Sequence, residues 1–251
     1  MENLRHREGI ASGAIKELLK KTLDEMKLYI SEQQLEQFEA YYALLMEWNQ
    51  KMNLTAIIKP EDVVTKHFAD SLSLLLFYDI PTGHAWIDIG AGAGFPGIPL
   101  KIMRPDSHSV LADSLKKRIG FLDTVKDKLK LEQIQCIHSR AEDLGRNPLY
   151  REQMDLCVAR AVASLDILCE YGLPFVKTGG LMAAYKGPGA EDEVNEAKTI
   201  INILGGKVEE IHSVKLPFSN IEHQLVFIRK LSQIPAKYPR SAGKIKKNRI
   251  T

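Results

Sequence analysis

The run Asp88-Ile89-Gly90-Ala91-Gly92-Ala93-Gly94-Phe95-Pro96-Gly97 constrains this chain more than any other stretch. It follows an apolar segment with strand character and precedes one with helical patterning, so it reads as a strand–loop–helix joint with the helix beginning near Pro96. Three glycines within five residues each cost backbone entropy, which is hard to explain unless the backbone comes close to a ligand. In open α/β sheets, cofactors bind at the carboxyl end of the first strand. The pyrophosphate of a dinucleotide prefers GxGxxG, whereas the spacing here is GxGxG directly after an acidic residue. No GxxxxGKS/T run exists, so the loop is not a P-loop. Asp113 ends the second expected strand, and its carboxylate can accept hydrogen bonds from both hydroxyls of a ribose, which suits NAD as well as other adenosine cofactors. A tight turn without a ligand is the remaining reading of the loop.

Around this joint the chain divides by texture. Ile15, Leu18, Leu19, Leu23 and Met26 recur at helical spacing between residues 11 and 30. Ser31 followed by Gln34 starts a second helix with Leu35, Phe38, Tyr42, Leu45 and Trp48 on one face. A third runs from Pro60 through Val63, His67, Phe68 and Leu72 to Leu76. After Pro81, Thr82 and Gly83, short β runs alternate with helices; strands are expected at 84–89, 109–113, 134–138, 154–159, 180–185, 207–214 and 223–230. Parallel neighbours need a crossover, almost always a helix, so the first five strands imply a parallel, doubly wound sheet. The connection Leu216–Glu222 between the last two strands is too short for a crossover and predicts an antiparallel hairpin ending the sheet. The expected architecture is α/β: a Rossmann-like, doubly wound, mixed seven-stranded sheet with an N-terminal helical extension. Residues 1–82 form the helical part, 83–232 the sheet domain and 233–251 a basic tail.

Composition narrows the function classes. A chain of 251 residues with 45% hydrophobic and 26% charged residues can bury a substantial core without disulfides. Charged residues run through the first 30 positions, and no stretch of about 18 apolar residues occurs, which predicts a cytoplasmic protein without a signal peptide or membrane span. Cys136, Cys157 and Cys169 lack CxxC spacing and are expected as reduced core thiols. No His, Cys and Asp cluster has metal spacing, so no metal is expected. The net charge of +2 conceals an asymmetry: eight of the 34 Lys and Arg fall between Arg229 and Thr251, where there is no acid, leaving 26 basic against 32 acidic residues and a charge of −6 on the rest. A mobile tail of this kind suits a polyanion-binding arm or a solubilising extension.

Asp88-x-Gly90-x-Gly92-x-Gly94 resembles the first motif of class I S-adenosylmethionine-dependent methyltransferases, as does a seven-stranded sheet with a terminal hairpin. The likeness sharpens with Trp48-Asn49-Gln50-Lys51-Met52-Asn53-Leu54-Thr55, His67-Phe68-Ala69-Asp70-Ser71-Leu72, Lys117-Arg118-Ile119-Gly120-Phe121-Leu122, Ala159-Arg160-Ala161-Val162-Ala163 and Lys237-Tyr238-Pro239-Arg240. In this order, over roughly residues 28–245, they resemble the ribosomal RNA small subunit methyltransferase G family, also called glucose-inhibited division protein B. The resemblance implies methyl transfer from S-adenosylmethionine to N7 of one guanine in small-subunit (16S) ribosomal RNA, presented as naked RNA or as a small ribosomal subunit particle. It places cofactor contacts on Gly90, Gly92, Phe95, Asp113, Ser114, Ala141, Glu142 and Arg160. Locally, Glu142 could hold the adenine amino edge or simply be a helix N-terminal acid, and Arg160 could pair with the methionine carboxylate, an RNA phosphate or a surface acid.

Guanine N7 carries no proton, so its attack on a sulfonium methyl is a direct in-line displacement that needs no general base, and no catalytic side chain is expected beyond orientation. The scattered histidines, His67, His84, His108, His138 and His223, read as ordinary surface or core residues. RNA is expected against Lys51, Asn53, His67, Asp70, Lys186, Arg229 and Arg240, with Lys66, Arg160 and Tyr185 as further lining residues. Trp48 reads more readily as a helix-core aromatic than as a base-stacking platform. Two departures from the family pattern stand out: Glu222-His223 occupies the start of the last strand where an arginine is expected, and the tail lacks a proline near Lys244. The competing readings are a methyltransferase acting on protein or a small molecule, an NAD-dependent oxidoreductase, and a non-enzymatic RNA-binding protein. Nothing in the sequence demands more than a monomer.

Overall fold

The computed structural model describes residues 12–250; the expected helix start at Ala11, the residues before it and Thr251 lie outside them. Strands β1 (Ala85–Ile89), β2 (His108–Asp113), β3 (Ile134–His138), β4 (Met154–Arg160), β5 (Val176–Lys186), β6 (Gly206–Lys215) and β7 (Glu222–Lys230) form one sheet in the order 3-2-1-4-5-7-6. The first five are parallel, and β7 pairs antiparallel with both β5 and β6. The expected hairpin therefore ends the sheet, with β7 as its inner strand. Burial agrees with that order: β7 is almost wholly buried, whereas β6, at the edge, exposes Lys207, Glu209 and Glu210.

Side-chain alternation gives the sheet two apolar faces. Trp86, Leu111, Leu156 and Val158 point to one, where they pack with α1 (Ser12–Glu25), α2 (Glu32–Met52), α5 (Gly97–Met103) and α6 (Lys116–Lys128). Ile87, Ile89, Cys157 and Ala159 point to the other, which is covered by α8 (Leu165–Gly172) and α9 (Ala190–Ile203). Cys157 and Cys169 lie in this second core and burial pushes both thiols up, as expected of inert core cysteines. Helix α2 carries the reciprocal cap: Ser31 Oγ accepts from Gln34 N–H, and Gln34 Oε1 accepts from Ser31 N–H. Gln34 also donates to the Ile102 carbonyl (2.9 Å), joining the helical layer to α5. Asn53 ends α2 in a left-handed conformation, φ 48°.

Two expectations are corrected. The helix expected over 60–76 runs without a break but is not regular: it passes from α3 (Pro60–Val63) through a π-helical stretch (Val64–Ala69) and α4 (Asp70–Leu72) to a 3-10 turn (Ser73–Leu76). The cause is competition for carbonyls: Arg160 donates to the Lys66 carbonyl (3.2 Å) and Ser71 Oγ to that of His67.

Nor is the basic tail a free arm. It runs back across the second core, burying Ile234, Tyr238 and Ile245, and ends in α10 (Ala242–Lys247). Arg240 binds both oxygens of buried Glu170, Arg249 binds both oxygens of Asp166, Arg229 pairs with Glu209, and fully buried Lys230 donates to Glu152. Half of the eight positive charges are thus neutralised by the chain itself. Arg240→Ala is expected to lower stability by about 2 kcal/mol, because it leaves the Glu170 carboxylate buried without its partner. A fall in the urea midpoint with unchanged m would register this.

Candidate functional site

The carboxyl ends of β1 to β4 meet in a cleft lined by Gly90, Ala112, Asp113, Ser114, Ala141 and Glu142. Five of these six are sequence-expected cofactor contacts. Gly90 and Ala91 N–H groups both donate to the Ala112 carbonyl, tying the glycine loop to β2. Asp113, 3% exposed, accepts from Gly92 N–H (2.9 Å) through one oxygen and from Leu115 N–H (2.8 Å) through the other, with Arg118 at 3.3 Å. Oδ2 is filled by Gly92 and Arg118, whereas Oδ1, with Leu115 alone, keeps further acceptor capacity. Glu142 starts α7 (Ala141–Leu144) with its carboxylate nearly buried and Arg140 3.9 Å away. Ile89, Ser139, Arg140, Val162, Tyr171, Ala242 and Lys246 complete the lining. The last two come from α10, 100 and 104 residues away in sequence from Glu142, so only the folded-back tail could have revealed them.

The loop glycines divide by what a side chain would meet. A Cβ on Gly94 would lie 2.7 Å from both Tyr41 Oη and Ile98, and one on Gly97 would lie 2.7 Å from Asp88 Oδ2. These positions are closed by packing. At Gly92, φ +60°, the nearest atom is a backbone oxygen 3.8 Å away, so the space is open. Asp88 anchors the loop from beneath: fully buried, it accepts from Gly97 N–H (2.8 Å), its other oxygen has no partner, and burial pushes its pKa up to about 7.

Phe95 and Arg160 do not line that cleft but join a second cluster beside the loop. The Arg160 guanidinium binds Asp70, lies 3.3 Å from His67 Nδ1 and sits 5.2 Å from the centre of the Phe95 ring, on which His67 stacks at 4.3 Å. Because Arg160 can only donate, His67 Nδ1 is the acceptor and the ring proton is on Nε2, 2.8 Å from Thr55 Oγ1. Burial first, then the Arg160 charge, lower the His67 pKa to about 4, so it is neutral. Asp70 also meets His223 Nδ1 at 3.0 Å. Its carboxyl is held below the usual range; burial opposes this, but His223 and Arg160 outweigh it. Tyr185 closes the cluster, donating to the Ser71 carbonyl (2.6 Å). His67 and His223 are thus embedded in a polar network rather than in ordinary surface or core positions; their alignment with Asp70 and Arg160 depends on tertiary contacts that spacing does not encode.

The other expected RNA contacts are dispersed. Lys51 and Asn53 lie at the end of α2, Lys66 pairs with Asp62, and Lys186 reaches Glu193 (2.7 Å) and the Ala163 carbonyl. Arg229 pairs across from Leu181, toward the opposite end of the sheet from the glycine loop, and Arg240 is held on α8. Trp48 packs against Phe121 as a helix-core aromatic. Among the described residues no helix is long and apolar enough to cross a membrane, and no three His, Cys, Asp or Glu side chains converge as a metal site would require.

The geometry fits S-adenosylmethionine: an open glycine cradle at Gly92, a buried carboxylate at the end of β2 and another after β3. Solved structures share the fold, among them TrmN from Thermus thermophilus (TM-score 0.51, 16% identity, 67% of this chain and 53% of that one) and a SAM dependent methyltransferase from Aquifex aeolicus (TM-score 0.50, 19% identity, 68% and 93%). Curated relatives named Ribosomal RNA small subunit methyltransferase G are far closer in sequence. That of Thermoanaerobacter sp. strain X514 is 49% identical, covering 92% of this chain and 97% of its own, and that of Acetivibrio thermocellus is 50% identical, covering 88% and 91%. A family model described as rRNA small subunit methyltransferase G matches residues 34–225. With a class I methyltransferase fold and S-adenosylmethionine as its cofactor, the chain belongs to the rRNA small subunit methyltransferase G family.

Proposed function

We propose that this protein methylates N7 of one guanine in small-subunit (16S) ribosomal RNA in the cytoplasm, acting as a monomer. The observation that carries the reading is the hydrogen bonding of the titratable groups beside the glycine loop. Among the described residues, His67 is held neutral with its Nδ1 occupied by Arg160, Asp70 is bound to Arg160, and Asp88 lies sealed beneath the glycine loop. None is free to take a proton from a substrate. That setting suits a nucleophile that has none to lose, such as guanine N7, attacking in line.

S-adenosylmethionine supplies the electrophilic methyl group. With the cofactor bound, Gly90 and Gly92 would let the backbone approach it, Asp113 would accept from its ribose hydroxyls, and Ser114, Ala141 and Glu142 would hold its adenine end. Arg160 and Phe95 form the wall where the target base enters, and the half-buried guanidinium fixes the orientation of that wall through Asp70 and the Lys66 carbonyl. Lys51, Asn53, His67, Asp70 and Lys186 border the path of the RNA, and exposed Lys244, Lys246 and Lys247 on α10 add positive charge beside the cleft. Arg229 and Arg240, each engaged with a carboxylate, would contribute to RNA binding only by exchanging that partner.

Gly92→Val is expected to lower affinity for S-adenosylhomocysteine at least about 100-fold, because the side chain fills the open cradle. The left-handed backbone adds a stability loss of about 1–2 kcal/mol without unfolding. Calorimetric titration checks the first effect and a urea melt the second. For the reaction itself, methyl-labelled S-adenosylmethionine is incubated with small subunits, or their naked RNA, from cells lacking the modification. Label in 7-methylguanosine at one position is expected. Label in another nucleoside would overturn the N7 assignment, and no label on either RNA, with cofactor still bound, would overturn the substrate.

A further inference from the structure

A second cavity opens at the same end of the sheet. At about 260 Å³ it exceeds the cofactor cleft, about 160 Å³ by the same measure. Its walls are Gly189, between β5 and α9, and Ser213, Lys215, Glu222, His223 and Gln224 of the β6–β7 hairpin. Because β7 runs antiparallel to β5, its first residues lie beside the carboxyl end of β5, where Lys186 pairs with Gln224. His223 is the partition between this cavity and the Arg160 cluster: it lines the cavity and also contacts Asp70 at 3.0 Å and Ser73 Oγ at 3.1 Å.

The interior is fixed while the rim is free. Gln224 Oε1 accepts from Ala190 N–H (2.9 Å), which holds its amide in place. Gly189, at φ +89°, has nothing within 4 Å of where a Cβ would be, so this wall is bare backbone that a flat ring can approach. Lys215 and Glu222 face each other across the hairpin register, both are exposed, and neither is ion-paired among the described residues. A carboxylate that only accepts therefore stands beside an ammonium that only donates. The complement is a flat heterocycle with an amino group next to a ring nitrogen or carbonyl. Uracil also offers a donor beside an acceptor, N3–H next to O4, but its second carbonyl, O2, is then left against the carboxylate, whereas an amino group such as N4 of cytosine has no carbonyl beside it.

We propose that this cavity holds a base of the RNA strand flanking the methylated guanine and selects an amino-bearing base over uracil, an inference that rests on the RNA reading above. Cytosine meets the rim with its N4 amino group on Glu222 and N3 or O2 on Lys215. The test is fluorescence anisotropy of the full chain with labelled ten-nucleotide oligo-C and oligo-U, two pyrimidines with similar stacking. Oligo-C is expected to bind about tenfold more tightly. In Glu222→Gln, whose amide supplies a donor as well as an acceptor, the preference should shrink to within about twofold while S-adenosylhomocysteine affinity stays unchanged. Lys215→Ala should weaken oligo-C more than oligo-U. Equal affinities in the native chain, or an undiminished preference in Glu222→Gln, would overturn the assignment. Methyl transfer to small-subunit RNA is measured in parallel: transfer without base preference sinks only this cavity, whereas absence of transfer sinks the underlying reading.

Discussion

Arg160→Ala is expected to reduce methyl transfer at least about 100-fold and to lower stability by about 3 kcal/mol. One guanidinium joins the end of β4 to the π-helical stretch, binding Asp70 and the Lys66 carbonyl while lying against Phe95 and His67. With side chains only 15% and 14% exposed, Arg160 and Asp70 form a largely desolvated pair, and removing the cation leaves the Asp70 carboxylate with His223 as its remaining partner. The rate loss has a separate origin, since the wall beside the reacting groups loses its fixed orientation. Arg160→Lys keeps the charge but cannot reach Asp70, Lys66 and His67 at once, so it is expected to restore part of the stability and little of the rate. Single-turnover transfer and urea denaturation separate the two effects. Transfer within about fivefold of native in Arg160→Ala would show that the cluster is structural only.

The second large effect is a change in how stability depends on pH. The Asp88 pKa rises from 3.8 to about 7 on folding, so between those values the native state binds more protons than the unfolded chain, and stability falls as pH rises through that window. The full span is on the order of 4 kcal/mol. His67 acts in the opposite sense. Its pKa falls from 6.5 to about 4, so the native state binds fewer protons there, and stability rises with pH between about 4 and 6.5, by roughly 3 kcal/mol. In the native chain these slopes largely offset. Asp88→Asn keeps an acceptor for Gly97 N–H and is neutral at every pH, so it should be more stable than native near pH 7.5 and should expose the rising His67 slope between pH 4 and 6.5. His67→Gln should show the reverse slope. Urea midpoints across that range check both. A native-like profile for Asp88→Asn would mean that the buried carboxyl is not protonated on folding.

Much of this architecture was legible because the relevant forces are local. The Ser31–Gln34 cap and the turn residues after Ile80 act within a few positions, and the strand runs 134–138 and 223–230 differ from the structure by one residue at most. The glycine loop was legible for a related reason: its glycines share positive φ, a local demand that leaves a compositional trace. The π-helical stretch left no such trace, because the donor that draws off the Lys66 carbonyl comes from Arg160, 94 residues away. The same holds for His223, which meets Asp70 only because β7 lies between β5 and β6.

Charge shows the division most clearly. Sequence alone determined the strand–helix alternation, the cofactor loop and the concentration of positive charge after residue 228. Only the tertiary structure decided which of those charges are available, because a side chain's charge is a property of its residue type, whereas its partner is a matter of distance. Glu170 and Asp166 on α8 lie 70 and 83 residues from Arg240 and Arg249, and folding the tail across the second core brings them into contact. The segment that reads as a free arm thereby becomes part of the wall of the cofactor cleft.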